Sequence, residues 1–287
     1  MKKIIYLFLS FIILFSLTGC FKKDDFENIT IYTTSYPIEY ITSKLYKDHS
    51  EIKSIYPDGT NIKKYELNDK QLKDYSKGSL FIFNGLGKEE TYLSKLVKYN
   101  KNLMIIDASQ SIEYTYDIDE LWLDPSNFLM LSRNIKNGLL EYISNHYLKE
   151  EINNNYDNLK LEISKVDANL KVIYENATHK TIITDNNALK FLEKYGFTVI
   201  SLEDNNGISE KNLYDAKRLI QNKTVKYIFT LNGTDVNKTV TDLVNNTKVE
   251  LLEINSLSNL TDKQRSENED YFSLVNENIE MLKKELY

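Results

Sequence analysis

Short runs of β-branched and aromatic residues alternate with helix-length segments along this chain, and the alternation occurs twice. "ITIYTTSY" (29–36), "EIKSIYP" (51–57), "LFIFNG" (80–85) and "NLMIIDAS" (102–109) read as strands, because such residues fit a pleated, buried surface. Between them, 37–47, 68–77 and 89–99 read as helices, with Asn68 and Asp69 capping the second. "TIITD" (181–185), "FTVISLE" (197–203), "VKYIFT" (225–230) and "VELLEI" (249–254) repeat the strand pattern, with helical runs at 186–195, 209–222, 234–245 and 266–286. Strands separated by helices pair in parallel, since a parallel connection must travel back along the sheet. The expected fold is α/β, with two similar lobes, each a mainly parallel four-stranded sheet with flanking helices.

Residues 126–176 separate the repeats and hold no proline and one glycine, Gly138. Leu139, Leu140, Ile143 and Tyr147, then Leu159, Ile163, Val166, Leu170 and Ile173, recur at helical spacing. The later part, 150–176, is expected to form one long rigid helix joining the lobes, with "HYLKEEINNNYDN" (146–158) as the place of a break or bend. Residues 29–149 then form the N-terminal lobe and 177–287 the C-terminal lobe.

The chain opens with "MKKIIYLFLSFIILFSLTGC". Lys2 and Lys3 precede an apolar block from Ile4 to Phe15 that is short for a finished membrane span. The layout is that of a secretory signal over 1–19; a plain N-terminal anchor is the alternative. Cys20 directly after L-T-G looks like a bacterial lipobox cysteine, which predicts lipidation of Cys20, a tether over 20–28 and a place on the extracytoplasmic face of the cell membrane. Cys20 is the sole cysteine, so no internal disulfide or thiolate zinc site can form. Acids outnumber bases, 42 to 36, for a net charge of −6. Nucleic-acid binding needs clustered Lys and Arg, so that class is excluded. "NGLG" (84–87) lacks the frame of a phosphate loop, and no nucleophile–base set is legible, so the chain is read as a monomeric binding protein and not an enzyme.

Several segments occur in one order: "IYTTSYPIEYITSKL", then "IYPDGTNIKKYELNDKQLKDYSKGSLFIFNGLGKEE", "MIIDAS", "LWLDPSN", "EKYGF" and "INSLSNLTDKQRSENEDYFSLVNENIEMLKKEL". Together they resemble the metal-binding solute-binding lipoproteins of bacterial zinc and manganese ABC importers. The resemblance covers nearly the whole chain after the tether. It implies two lobes on a rigid connecting helix, a Zn2+ or Mn2+ cargo held between them, and an ABC permease in the membrane as partner.

The resemblance also locates the family's ligand positions, and none is a histidine here. The histidine of G-T-E-P-H-D-Y-E-P-S corresponds to Lys63, and that of D-P-H-x-W-L-D-P to Glu120. The third position falls on Asp185, or Asn186 with a gap, and the fourth on Ser256 or Ser258. His49, His146 and His179 lie outside these places and read as surface or capping residues. An ammonium among carboxylates predicts that Lys63 stands where the metal stood and pairs with Glu120 and Asp185. Alternatively the cleft holds a small organic solute, with Lys63, Tyr36, Tyr65, Thr230 and Asn232 recognising an anion. Trp122 reads as core and Asp124 as a helix cap.

Overall fold

Each alternating half folds into its own parallel sheet. The computed structural model describes residues 26–203, 207 and 209–287; the signal segment 1–19, Cys20 and most of the tether lie outside the described residues. In the first half, β1 (Thr30–Thr33), β2 (Glu51–Ser54), β3 (Leu80–Phe83) and β4 (Met104–Asp107) pair in the order β2-β1-β3-β4. Helices α1 (Tyr36–Tyr46), α2 (Asp69–Tyr75) and α3 (Glu90–Tyr99) connect them. Asn68 caps α2 in a reciprocal box with Gln71, as its sequence position predicts. A single turn, α4 (Glu120–Leu123), leads into α5 (Pro125–Tyr142), where Asp124 accepts the Ser126 N–H and Pro125 opens the helix.

The connecting helix α6 runs His146–Asn176, 31 residues, roughly 46 Å at 1.5 Å per residue. Its buried stripe is Leu148, Ile152, Asn155, Leu159, Ile163, Val166, Leu170 and Ile173, the spacing of one helical face. The break falls earlier than the sequence predicts. Ile143 turns extended, Asn145 caps the Tyr147 and Leu148 N–H groups, and 146–158 is continuous helix. None of the helices among the described residues is long and apolar enough to cross a membrane.

The second half repeats the sheet order. β5 (Thr181–Thr184), β6 (Thr198–Ser201), β7 (Tyr227–Leu231) and β8 (Glu250–Ile254) pair in parallel as β6-β5-β7-β8. The helices are α7 (Glu210–Gln221), α8 (Lys238–Asn246), α9 (Asp262–Ser266) and α10 (Tyr271–Leu286). Two expected helices differ. Residues 186–195 form only a 3₁₀ segment over Lys190–Tyr195, because the Asn186 side chain takes the Ala188 N–H and diverts the backbone. The run 266–286 is split, since Asn268 adopts φ 57° and Asp270 caps a new helix.

One hydrophobic core runs from the first sheet through α5 and α6 to Ile182, Phe229 and Ile254 of the second. A smaller cluster, including Ile200, Ala216, Ile228 and Val240, fills the space under α7 and α8. Gly138 lets α5 lie close on β4, since a Cβ there would fall 2.7 Å from the Ile106 side chain. The fold is thus the expected two-lobed α/β architecture on a long helix.

Candidate functional site

In open parallel sheets, ligands sit in the crevice beyond the carboxyl ends of the strands. Here those ends supply Thr34 and Ser35 after β1, Asn84 after β3, Asn232 after β7 and Ser256 after β8. A cleft of about 280 Å³ opens beside the last two, Asn232 and Ser256, lined from the first lobe by Gly59, Thr60, Asn61, Lys63 and Asp119. Asn232, Gly233, Glu253, Ser256, Ser258 and Asn259 close it from the second.

Among the described residues, Lys63 is the cation that lines this cleft. Its backbone N–H donates to Asn61 Oδ1 at 2.9 Å, which turns the side chain toward the loop before α4. There Nζ donates to Asp119 Oδ2 at 2.6 Å and Asp117 Oδ1 at 3.2 Å. Lys63 therefore pairs with Asp117 and Asp119, and not with Glu120 and Asp185 as the charge swap predicts. Burial pulls the Lys63 amine down, yet Asp119 and Asp117 outweigh it and hold the amine above its usual value. The Asp119 side chain is 1% exposed. Burial pushes its carboxyl up to about 6, Lys63 opposes this, and Asp117 adds to it. Asp119 Oδ1 has no hydrogen-bond partner.

Glu120 serves its own loop. Its carboxylate accepts the N–H groups of Tyr116 at 2.7 Å, Asp117 at 2.9 Å and Thr115 at 3.3 Å. Asp185 is buried after β5, takes the Asn186 amide on Oδ1, and accepts from Asn237 Nδ2 on its backbone oxygen. Neither lines the cleft. Ser256 does: its N–H donates to Asn232 Oδ1, its carbonyl accepts the Trp122 indole N–H at 2.8 Å, and its hydroxyl lies 3.0 Å from that of Ser258. Of the residues considered for an organic solute, Lys63 and Asn232 line the cleft, whereas Tyr36, Tyr65 and Thr230 do not.

His49 bonds Glu151 at 2.9 Å, His179 lies 3.3 Å from Glu285, and His146 starts α6. None of the three lines the cleft. Among the described residues, no three or more His, Cys, Asp or Glu side chains converge as a metal-holding group. Sequence reasoning missed Asp117 and Asp119, although "DIDE" ahead of Trp122 is a visible acidic run. It also missed Arg265 of α9, whose guanidinium bridges to Glu39 at 2.8 and 3.1 Å and to Asp58 at 2.8 and 2.9 Å in the other lobe. Beside it, Tyr36 N–H donates to Ser258 O and Gly59 N–H to Leu260 O.

The family model for the periplasmic zinc-uptake complex component A, ZnuA, matches residues 31–285. The manganese ABC transporter substrate-binding lipoprotein PsaA of Streptococcus pneumoniae is 28% identical over 219 residues, covering 68% of this chain and 70% of that protein. The zinc-binding protein AdcA of Streptococcus pyogenes serotype M6 is 21% identical over 323 residues, covering 99% of this chain and 61% of its own. Among solved structures, the metal-dependent lipoprotein YcdH from Bacillus subtilis has the same fold, with a TM-score of 0.73 at 20% identity, over 90% of this chain and 99% of that one.

Proposed function

Given that the chain belongs to the family of the periplasmic component A of zinc-uptake complexes, we propose that it is the extracytoplasmic, lipid-anchored solute-binding subunit of a zinc/manganese-type ABC importer. Cys20 carries the acyl anchor, residues 29–149 and 177–287 act as the two lobes, and 150–176 joins them. The cargo sits in the interlobe cleft, and a membrane permease receives it from a monomeric protein. The observation that supports this reading is the cleft itself, beside the carboxyl ends of β7 and β8 and lined by residues of both lobes.

Relatives bear zinc and manganese in their names, and a metal ion is the first cargo to test. The side chains at this cleft fit that ion poorly. Zinc prefers imidazole and thiolate, whereas the cleft offers Asp119, Glu253 and hydroxyls. An ammonium beside Asp119 also opposes a second cation. Two unit charges 4 Å apart repel by about 4 kcal/mol at an effective dielectric of 20, and a divalent ion doubles this. The pairing of Lys63 with Asp119 therefore favours a second reading, in which Lys63 replaces the metal and the cleft takes a different small solute.

Titration calorimetry of the full chain in detergent with zinc and manganese decides between them. Sub-micromolar binding of either ion is the result expected of metal cargo; millimolar binding or none removes it. The anchor is tested separately. Mass spectrometry of the mature N-terminus should find an acylated cysteine, and Cys20→Ser should release the protein from the membrane. A membrane-bound, unacylated chain would refute lipidation.

A further inference from the structure

We infer that the pole of the first lobe where the tether leaves the fold lies against the bilayer, with Tyr99 and Tyr147 seated among the lipid headgroups. This rests on the reading of Cys20 as the acyl anchor and names the surface that the anchor brings down.

Chain length sets the first constraint. Phe26 lies six residues after Cys20, and six residues of extended chain reach at most about 20–22 Å. Phe26 is a fixed point: it is buried, its ring stacks on Tyr142 at 5.7 Å, and its carbonyl accepts the Ser50 hydroxyl at 3.1 Å. An anchor at headgroup depth therefore holds this part of the fold within one short tether of the lipid, at high effective concentration.

The amino ends of parallel strands share one edge of a sheet, and the first lobe carries its loops 47–50, 76–79 and 100–103 along that edge. The carboxyl end of α5 and the first turns of α6 join them. Tyr142 donates to Ile105 O at 3.1 Å, and Glu151 meets His49 at 2.9 Å and Lys47 at 3.3 Å. Tyr99 closes α3 just before the 100–103 loop, whose Asn100 amide donates to Ser76 O at 2.8 Å. Tyr99 is 43% exposed and Tyr147, in the first turn of α6, 82%. Tyrosine joins an apolar ring to a hydroxyl, the combination enriched where a membrane meets water. Charge does not oppose the contact. Segments 47–50, 76–79, 98–103 and 141–151 carry five lysines and four acids, whereas the whole chain has 36 bases and 42 acids. The negative excess that an anionic leaflet would repel lies elsewhere. The cleft residues Gly59, Thr60, Asn61 and Lys63 follow the carboxyl end of β2, so strand length separates them from this pole. A chain seated this way keeps its cleft off the lipid.

The test uses the full lipidated chain in vesicles of phosphatidylcholine and phosphatidylglycerol. With Cys20 acylated, Ser144→Cys and Ser266→Cys each supply one free thiol for a fluorescent probe. Ser144 is exposed between α5 and α6 at the pole; Ser266 is exposed on α9, the helix that cleft-lining Thr261 caps. Lipid bearing a nitroxide on its headgroup should quench the probe at 144 severalfold more than the probe at 266. Tyr99→Ser combined with Tyr147→Ser should bring the signal at 144 down to that at 266, with little change in melting temperature. Tyr147→Ser alone should lower it partway, and keeps the proposal testable where the double variant fails to fold. Equal quenching at the two sites overturns the inference, as does full quenching at 144 in the double variant. Quenching at 144 that falls as the chain crowds the vesicle assigns the tyrosines to a second copy and overturns it too. A chain that does not float with the vesicles overturns the anchor reading and this inference together; one that floats with 144 unquenched overturns this inference alone.

Discussion

Replacing Glu120 by alanine separates two roles for this side chain, cargo ligand and loop brace. The carboxylate accepts three backbone N–H groups, from Thr115, Tyr116 and Asp117, at 2.7 to 3.3 Å. Removing a hydrogen-bond partner of a charged group costs about 1.5–3 kcal/mol where the orphan stays dry. Thr115 and Tyr116 lie at the surface, so water can replace part of what is lost. About 1 kcal/mol per bond is then the working figure, or about 3 kcal/mol in all. That corresponds to a drop in melting temperature of roughly 6–12 °C for a protein of this size class. Glu120→Gln keeps an acceptor oxygen for Tyr116 and Asp117 and loses the charge, so about 1 kcal/mol is expected. The assay is urea unfolding followed by the fluorescence of Trp122, the single tryptophan, buried two residues away. A cost below about 0.5 kcal/mol for Glu120→Ala, within the range of an ordinary surface change, would refute the brace. So would a tenfold loss of zinc or manganese affinity without loss of stability, which would make Glu120 a ligand.

Arg265→Ala removes the paired bridges to Glu39 and Asp58 across the lobes. The guanidinium is partly exposed, so about 1–2 kcal/mol is expected for the pair of bidentate contacts. Hydrogen exchange should accelerate at the Tyr36 and Gly59 amides, which bond Ser258 O and Leu260 O beside it; unchanged protection at both would refute the clamp. At Glu285, burial pushes the carboxyl from 4.5 up to about 7, against the Lys226 and Tyr227 N–H groups that donate to it. The folded pKa exceeds the unfolded one, so the native chain keeps a proton that the unfolded chain releases. Stability should therefore fall as pH rises from about 4.5 through about 7. Glu285→Gln keeps the acceptor and cannot titrate; its melting temperature should be flatter over that window, and an identical slope would refute the assignment.

The eight strands and the stripe of α6 were legible because each is a local periodicity. "LFIF" at 80–83 is buried on both faces of its sheet and reads as a continuous apolar run for that reason. Helix limits were less legible where a polar side chain competes with the backbone. Asn145, Asn186 and Asp270 each take a nearby N–H and move a boundary by several residues. At the cleft, the sequence identified Lys63 as the cation and paired it with the wrong acids. Glu120 is adjacent to Asp119 in sequence, but on the α4 turn its carboxylate folds back onto 115–117 while Asp119 faces Lys63. Which of two neighbouring carboxylates meets an amine depends on loop torsions, and those leave no periodic trace.

The loop contacts between the halves also decide how firmly the two lobes are held together. The segment 256–261 rises from the second sheet and lies on the first lobe. Trp122 donates to Ser256 O, Tyr36 to Ser258 O, Gly59 to Leu260 O, and Asn259 Nδ2 to Pro57 O and Thr60 O. The core continues beneath it from Ile31 to Leu257 and Leu260. Swinging one lobe from the other would break each of these bonds, at about 1 kcal/mol apiece, and expose the core as well. Lys63 is half-exposed, and its departure from Asp119 disturbs no interlobe bond that its side chain makes. Parting the Lys63 amine from Asp119 breaks none of these interlobe bonds and leaves the core between the lobes covered.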